Sequence, residues 1–291
     1  MADTIVPPQW NDLCAESLCG TIMVLGESDT GKSTLARYLY QCLCRQGRRV
    51  AYLDADLGQS TLGLPTTLNL ALASKAGNES FPPQGPRAIY FVGAITPRGN
   101  MLPTVIGTYR LQQWAMALGA EVVVVDTSGL VEPAQGGKAL KQWKIELLVP
   151  SVVIGLQRRR ELEPILWPLR RDPRLDCVEL AVSPYVSERS RESRIARRRE
   201  RLAQYFRRAR ARSLSLRQMA VYDLELSSVG AILAFQDAEG FTLGLGVLEE
   251  SDWPGGTAVV QTPLENLEGV TGLRFGSTYW DLNNQRERLN R

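Results

Sequence analysis

The stretch GESDTGKST at residues 26–34 limits the possible folds of this 291-residue chain more than any other feature. It fits the pattern G-x-x-x-x-G-K-[ST], and the fixed positions are Gly26, Gly31, Lys32 and Ser33. The apolar run at residues 21–25 predicts a strand before it, and leucines at helical spacing in residues 34–45 predict a helix after it. Because the pattern binds nucleotide phosphates in this strand–loop–helix context, the sequence predicts a P-loop.

Each part of this loop suits a triphosphate. The glycines allow backbone N–H groups to turn inward around phosphate oxygens, and the N-terminus of the next helix adds a partial positive charge. Lys32 adds a full charge, and the Ser33 hydroxyl can bind a Mg²⁺ that bridges the last two phosphates. The predicted nucleotide-binding residues are Gly26, Glu27, Ser28, Asp29, Thr30, Gly31, Lys32, Ser33 and Thr34. The loop is therefore expected to hold ATP or GTP, and the motif alone leaves the phosphate acceptor open.

Composition excludes several classes of protein. No apolar run approaches the ~18 residues that span a bilayer, and the N-terminus has no export signal, which predicts a cytoplasmic location. The sequence contains no histidine, so every histidine-dependent mechanism is excluded and any general base must be a carboxylate. The five cysteines form no C-x-x-C pair, and we expect buried free thiols rather than a zinc site or a disulfide framework.

Positive charge is concentrated in one segment. Residues 186–217 hold twelve arginines and three glutamates, a net charge of +9, whereas the whole chain carries +3. Such a concentration predicts an anionic partner, either phosphate groups or nucleic acid, because block charge of this density repels itself without a counter-charge. The alternative is a basic helix face that meets only solvent.

Alternating strands and helices predict the fold class. Apolar runs typical of buried parallel strands lie at residues 21–25, 50–53, 88–92, 122–125, 152–156 and 178–182. Helical patterns separate most of them, notably at residues 102–118 and 137–148. This pattern predicts an α/β fold with a P-loop NTPase-type, mostly parallel sheet flanked by helices.

The pattern changes toward the C-terminus. One long arginine-rich helix is predicted over residues 187–212, and the short strands predicted after it lie at residues 221–226, 231–235, 242–247, 257–261 and 271–275. We therefore predict three parts, which are a short N-terminal segment at residues 1–19, a P-loop domain at 20–213 and a small β-rich domain at 214–291. The basic helix belongs to the second part in this division.

The segment LDADLGQ at residues 53–59 places two carboxylates at the end of the second predicted strand. Phosphate chemistry lies at the carboxyl ends of the strands in this class of fold. Asp56 is a candidate to accept the proton of an attacking hydroxyl or to polarise it. Asp54 is either a structural cap or a magnesium contact, and turn formation is the alternative for the pair.

The segment VVVVDTSGL at residues 122–130 combines a hydrophobic strand with an acid. Such an acid commonly supports Mg²⁺ in P-loop enzymes, which makes Asp126 a candidate metal ligand together with Ser33. Thr127 and Ser128 then form a polar turn that faces the phosphates. Structural capping alone is the alternative.

These stretches together resemble the polynucleotide 5′-hydroxyl kinase family, which includes the RNA kinase subunit of the eukaryotic pre-mRNA cleavage factor, rRNA-processing kinases, and archaeal and bacterial homologues. The matching stretches are GESDTGKSTL, LDADLGQ, FVGAITPRGN, DTSG, KIELLVPSVVIGLQ and RSRESRIARRRERLAQYF. They cover most of residues 20–206 in the family's order. An acid such as Asp29 inside the phosphate loop is unusual among P-loops and typical of this family.

The resemblance implies an ATP- and Mg²⁺-dependent enzyme that transfers the γ-phosphate to the 5′-hydroxyl of RNA or DNA. The catalytic residues that it implies are Lys32, Asp56, Arg189 and Arg194. In this reading Lys32 binds the β- and γ-phosphates, Asp56 activates the acceptor, and the two arginines belong to a lid over ATP. The candidate substrate-binding residues are Gln59, Thr127, Ser128, Arg98 and Arg198.

Some positions depart from the family pattern, and other functions stay open. Leu130 replaces a frequent aromatic residue, Asn100 stands where relatives often have histidine, and the lysine of eukaryotic members is missing from residues 131–133. These departures put substrate preference in doubt, including the choice between RNA and DNA. The alternatives are an ATP-binding scaffold of a nucleic-acid-processing complex with little turnover, a P-loop ATPase or GTPase switch, and a small-molecule kinase.

Overall fold

The computed structural model describes residues 6–15, 18–77 and 80–289, so part of the predicted N-terminal segment 1–19 lies outside the described residues. The chain divides into two compact units. The phosphate-loop unit comprises residues 1–56, 69–88 and 97–189. The C-terminal unit comprises residues 57–68, 89–96 and 190–291. The arginine-rich segment after residue 189 thus belongs to the C-terminal unit, whereas the sequence suggested that it belongs with the P-loop domain.

The first sheet contains the strands β1 (Gly20–Gly26), β2 (Val50–Ala55), β3 (Thr67–Leu72), β4 (Arg87–Phe91), β5 (Val122–Thr127), β6 (Val152–Gln157) and β7 (Asp176–Ala181). Their order in the sheet is β4-β3-β2-β5-β1-β6-β7. Strands β2, β5, β1, β6 and β7 pair in parallel, and β3 is antiparallel to β2. All six residues of β2 and of β5 are buried, as expected for parallel strands covered on both faces. The predicted mostly parallel α/β fold is confirmed.

The helices are α1 (Pro8–Ala15), α2 (Lys32–Arg45), α3 (Met101–Ala117), α4 (Gly137–Leu148), α5 (Glu163–Leu169) and α6 (Arg191–Phe206). In α2 the leucines that predicted the helix, at positions 35, 39 and 43, form its fully buried face. Helices α3 and α4 lie within one residue of their predicted bounds.

The basic helix is shorter than the predicted 187–212. Ser190 caps its N-terminus, because its hydroxyl accepts a hydrogen bond of 3.1 Å from the backbone N–H of Ser193. At the other end the chain turns after Phe206 and enters a strand at Arg210. Helical periodicity in the arginines did not reveal this change, because exposed arginines are compatible with either structure.

Strand β3 was not predicted. All six of its residues are buried, yet Thr67 and Asn69 interrupt the apolar pattern of TLNLAL. A short segment with alternating polar residues gives a weak signal for a fully buried strand. The sheet therefore has one more strand, and one more antiparallel pairing, than the sequence indicated.

The second sheet lies in the C-terminal unit. Its strands are β8 (Arg210–Ser215), β9 (Ala220–Tyr222), β10 (Ala231–Gln236), β11 (Thr242–Asp252), β12 (Thr257–Thr262), β13 (Gly272–Asp281) and β14 (Arg286–Leu289). The order is β14-β13-β10-β11-β12-β8, with β9 parallel to β13 and the other pairs antiparallel. The predicted strand 221–226 is wrong beyond Tyr222, because a 3₁₀ turn follows at Leu224–Leu226.

Alternate residues of β10 face two buried clusters. Leu233 and Phe235 pack into one cluster, and Ile232 packs into the other. Helix α6 covers the second face with Leu202 and Phe206, which are 0% and 5% exposed. Burial of each such side chain stabilises the fold by roughly 1.5–3 kcal/mol, so α6 is anchored to this sheet by its last two turns.

Two observations bear on the expected cytoplasmic location. Cys44 and Cys177 form no disulfide and are at least partly buried, as expected, but Cys19 is a free, exposed thiol and Cys42 is disulfide-bonded. The expectation of buried free thiols is therefore wrong for the latter two. Within the described part of the chain, no helix combines the length and the apolar character needed to cross a membrane. The location itself stays a prediction.

Candidate functional site

The phosphate loop connects β1 to α2. Asp29 and Gly31 adopt left-handed backbone conformations, with φ of 55° and 88°, and these turn the loop tightly before the helix. Thr30 Oγ1 donates a 3.0 Å hydrogen bond to the carbonyl of Glu27, and the Lys32 ammonium donates to the same carbonyl. Lys32 is only 6% exposed. Burial lowers its pKa, and the charges of Asp126, Asp56 and Asp29 oppose this effect.

Asp126 at the end of β5 contacts the first turn of α2. It is 1% exposed, and its carboxylate accepts a hydrogen bond from the Ser33 hydroxyl. Tyr52 donates a 3.0 Å hydrogen bond to Oδ2, whereas Oδ1 has no hydrogen-bond partner among the described residues. Burial first, and then the charge of Asp54, raise the pKa of Asp126 to about 7. A buried carboxylate oxygen without a partner, beside a serine hydroxyl, fits the oxygen ligands that Mg²⁺ prefers.

The two carboxylates after β2 differ in their surroundings. Asp54 stands directly across from Asp126 in the parallel register of β2 and β5, and it is 1% exposed. Its Oδ1 accepts a 3.2 Å hydrogen bond from the backbone N–H of Asp56. This bond supports the structural cap that was one of the two alternatives for Asp54. Asp56 is only half-buried, so its carboxylate can still reach a bound molecule.

The turn at Thr127–Gly129 is held from three sides. Thr127 Oγ1 donates to the carbonyl of Val24 on β1 at 2.8 Å. A Cβ on Gly129 would lie 2.6 Å from the backbone nitrogen of Ser28, so only glycine allows the turn to pack this closely against the phosphate loop. The third contact comes from α4, where Lys141 Nζ donates to the carbonyl of Ser128 at 2.6 Å. The Ser128 hydroxyl is buried and has no hydrogen-bond partner among the residues described.

Two fully buried lysines on α4 were missed by the sequence analysis. Lys141 and Lys144 are both 0% exposed and share the buried face of α4 with its leucines. Burial lowers the pKa of Lys141 well below its usual value, and it lowers the pKa of Lys144 to about 7. Helical spacing could have revealed their burial. The two lysines are three positions apart and share one helix face with Leu140, Ile145 and Leu148, which is the face toward the core.

We predict that Lys141→Met raises the KM for the hydroxyl acceptor that the family resemblance implies by about fivefold, because one hydrogen bond of about 1 kcal/mol no longer fixes the turn. The affinity for nucleotide is expected to change much less, since the Ser28–Gly129 contact remains. Initial rates against acceptor concentration, with nucleotide binding measured separately, test this. Lys138→Met on the same helix is the control, because no side-chain bond to the turn involves it. Equal acceptor KM values in the two variants would contradict the prediction.

Asp29 links the phosphate loop to the segment that precedes α6. Its Oδ2 accepts a 3.2 Å hydrogen bond from the backbone N–H of Arg189, and its carbonyl accepts one from the Arg158 guanidinium. Arg158 also lies 3.8 Å from a carboxylate oxygen of Glu188. Arg189 is thus attached to the loop by the carboxylate that the sequence marked as unusual, and Glu188 is attached through Arg158. Arg158 was not predicted, because nothing in the sequence indicates its distance from the loop.

Other predicted site residues lie in the C-terminal unit. Gln59 donates a 3.2 Å hydrogen bond from its amide to the backbone carbonyl of Arg194, so the 58–59 turn is tied to α6. Arg198 forms a two-pronged ion pair with Glu287, with N–O distances of 2.6 and 3.1 Å. Its guanidinium is therefore engaged within the unit, and its role in substrate binding stays a prediction.

Arg98 belongs to the phosphate-loop unit, where it is exposed in the loop before α3. The phosphate loop, Asp56, Asp126, Thr127 and Ser128 also lie in this unit. That the arginines at 194 and 198 converge on this group stays a prediction.

The phosphate loop, the Ser33–Asp126 contact and the buried parallel strands define a P-loop nucleotide-binding protein. The profile of the family described as the mRNA cleavage and polyadenylation factor CLP1 P-loop matches residues 26–208, and the chain belongs to that family. This confirms the family predicted from the sequence.

Individual relatives agree with this assignment. A polyribonucleotide 5′-hydroxyl-kinase of Pyrococcus horikoshii is 29% identical, over 88% of this chain and 84% of its own length. The human polyribonucleotide 5′-hydroxyl-kinase Clp1 is 33% identical, over 64% of this chain and 44% of its own length. The solved structure of a Clp1p–Pcf11p complex matches with a TM-score of 0.66 at 12% identity and covers 93% of this chain and 77% of that chain. At this identity the structural match shows the fold alone.

Proposed function

We propose that this protein transfers the γ-phosphate of ATP to the 5′-hydroxyl end of RNA or DNA. The observation that carries the proposal is the group formed by Lys32, Asp56 and Asp126 in the phosphate-loop unit. Both carboxylates act electrostatically on the buried lysine, and Asp56 is the one that keeps an exposed part. The names of the archaeal and human relatives support the same reaction.

In the proposed reaction the 5′-hydroxyl oxygen forms a bond to the γ-phosphorus, and the bond to the β–γ bridging oxygen breaks. Asp56 takes the proton of the hydroxyl, and ADP leaves. Lys32 stabilises the negative charge on the phosphates. To do so, its ammonium gives up the hydrogen bond to the Glu27 carbonyl and donates to a phosphate oxygen instead. Asp126 and Ser33 would hold Mg²⁺, which supplies charge neutralisation between the β- and γ-phosphates when bound.

The turn at Thr127–Gly129 has a positioning role in this proposal. Three of its groups are fixed by β1, α4 and the phosphate loop, and the Ser128 hydroxyl is the group that remains for a ligand. Backbone and hydroxyl groups held in this way lose little entropy when an acceptor binds. The acceptor is therefore oriented by a rigid surface beside the phosphates.

The test is transfer of label from γ-labelled ATP to oligonucleotides in the presence of Mg²⁺. RNA and DNA of one sequence, each with a 5′-hydroxyl, are compared with the same strands that already carry a 5′-phosphate. We expect label only on the hydroxyl strands. If no strand is labelled and the purified protein retains nucleotide, the scaffold alternative holds. If labelled inorganic phosphate is released and no strand is labelled, water is the acceptor and the ATPase or GTPase alternative holds.

A further inference from the structure

A surface at one edge of the C-terminal sheet carries unpaired positive charge. Residues 207–217 contain five arginines and no acid. Four of these are exposed and form what we name the arginine strip, which consists of Arg207, Arg208, Arg210 and Arg217. In the described part of the chain none of the four forms an ion pair. We propose that the strip binds phosphates of the polynucleotide beyond its 5′-terminal nucleotides, which rests on the proposed function.

The strip is part of a rigid surface rather than a loose basic tail. Phe206 precedes it and Leu214 lies within it, and the two are 5% and 3% exposed in the clusters on the two faces of the sheet. The fifth arginine, Arg212, donates to the carbonyls of Leu264 and Glu265 at 3.4 and 2.8 Å. The exposed guanidiniums are therefore presented from a fixed backbone, which lowers the entropy lost on binding a ligand.

The backbone beside the strip suits a sugar–phosphate chain. Strand β8 is the terminal strand of the sheet and pairs only with β12 among the described residues, so its outer edge is available. The exposed residues that alternate along β8 are small, namely Ala211, Ser213 and Ser215. Arginine side chains, serine hydroxyls and backbone N–H groups are the donors that contact phosphate oxygens in protein–nucleic acid complexes. Small side chains allow the ligand to approach these donors closely.

The charge distribution favours nucleic acid over the competing explanation. Positive residues on an edge strand also prevent pairing with a second sheet, and a single charge is often enough for that purpose. Arg207 and Arg208 precede β8, however, so they do not protect its edge. Four exposed guanidiniums without an acid in the same segment match an anionic partner with repeated charges, such as a phosphate backbone.

The test uses the full chain with Arg208→Ala and Arg210→Ala combined. Arg171→Ala combined with Arg286→Ala is the charge-matched control, because both residues are exposed and lie outside the strip. Binding of a 5′-hydroxyl RNA of about twenty nucleotides, and of one of about four nucleotides, is measured at several salt concentrations. We expect the slope of log affinity against log salt for the long RNA to become shallower by about 1.4 in the strip variant, at roughly 0.7 per lost phosphate contact.

The outcomes separate this proposal from the proposed function. Loss of the affinity advantage of the long RNA over the short RNA in the strip variant, but not in the control, supports it. An unchanged salt slope in a variant that still labels 5′-hydroxyl ends overturns the strip proposal and leaves the kinase proposal intact. Self-association of the strip variant with unchanged RNA binding also overturns it, in favour of edge protection. If wild type labels no strand, the proposed function is wrong, and the strip proposal that rests on it is wrong as well.

Discussion

Replacement of Asp56 by asparagine is expected to lower phosphate transfer by about 10²–10⁴-fold, because an amide accepts no proton from the 5′-hydroxyl in the transition state. Asparagine has nearly the same shape, and the backbone N–H of Asp56 still donates to Asp54 in the variant. The loss is therefore expected in the rate of the chemical step rather than in folding. Single-turnover labelling at saturating ATP and acceptor measures that rate directly.

The control for this prediction is Glu132→Gln. Glu132 is an exposed carboxylate whose Oε1 caps the next turn through a 3.3 Å hydrogen bond from Ala134. Glutamine can accept the same hydrogen bond, so the variant removes a charge without touching the phosphate loop. Transfer by Asp56→Asn within tenfold of wild type would exclude Asp56 as the proton acceptor. Loss of nucleotide binding in this variant would instead indicate a role in holding the phosphates.

The sequence predicted those parts of the fold that depend on continuous local patterns. The four valines before Asp126 and the leucines of α2 are strong signals, since each pattern runs along one element. The sequence missed strand β3 and misplaced the end of α6 for the same physical reason. Their conformations are decided by pairing with β2 and β12, and the residues themselves are compatible with other structures.

The candidate site divides in a similar way. The phosphate loop and the acids at 56 and 126 follow motifs of fixed spacing, so the sequence brought them to attention. Lys141 and Arg158 donate to the carbonyls of Ser128 and Asp29, across 13 and 129 positions of the chain. Such contacts have no periodicity or spacing to reveal them. Their identification needed the tertiary structure, which also gave a physical role to the unusual acid at 29.

The buried Lys144 leads to a prediction about stability and pH. Its pKa is lowered from the ordinary value of 10.5 to about 7 by burial, against the opposing charges of Asp56 and Asp54. Between these two values the unfolded chain binds a proton that the folded chain does not. The free energy of unfolding must therefore rise with pH in this window, by up to about 1.4 kcal/mol per pH unit for this group.

Lys144→Met is expected to remove this contribution. From pH 7 to pH 9, the free energy of unfolding of wild type should rise relative to that of the variant by on the order of 2 kcal/mol. Urea unfolding at several pH values measures it, and taking the difference cancels the groups that both proteins share, including Lys141 and Lys32. Lys138→Met, on the less buried side of α4, should give a pH dependence parallel to wild type. Parallel curves for Lys144→Met as well would mean that this ammonium keeps its proton in the folded protein, in which case Asp54 and Asp56 outweigh its burial.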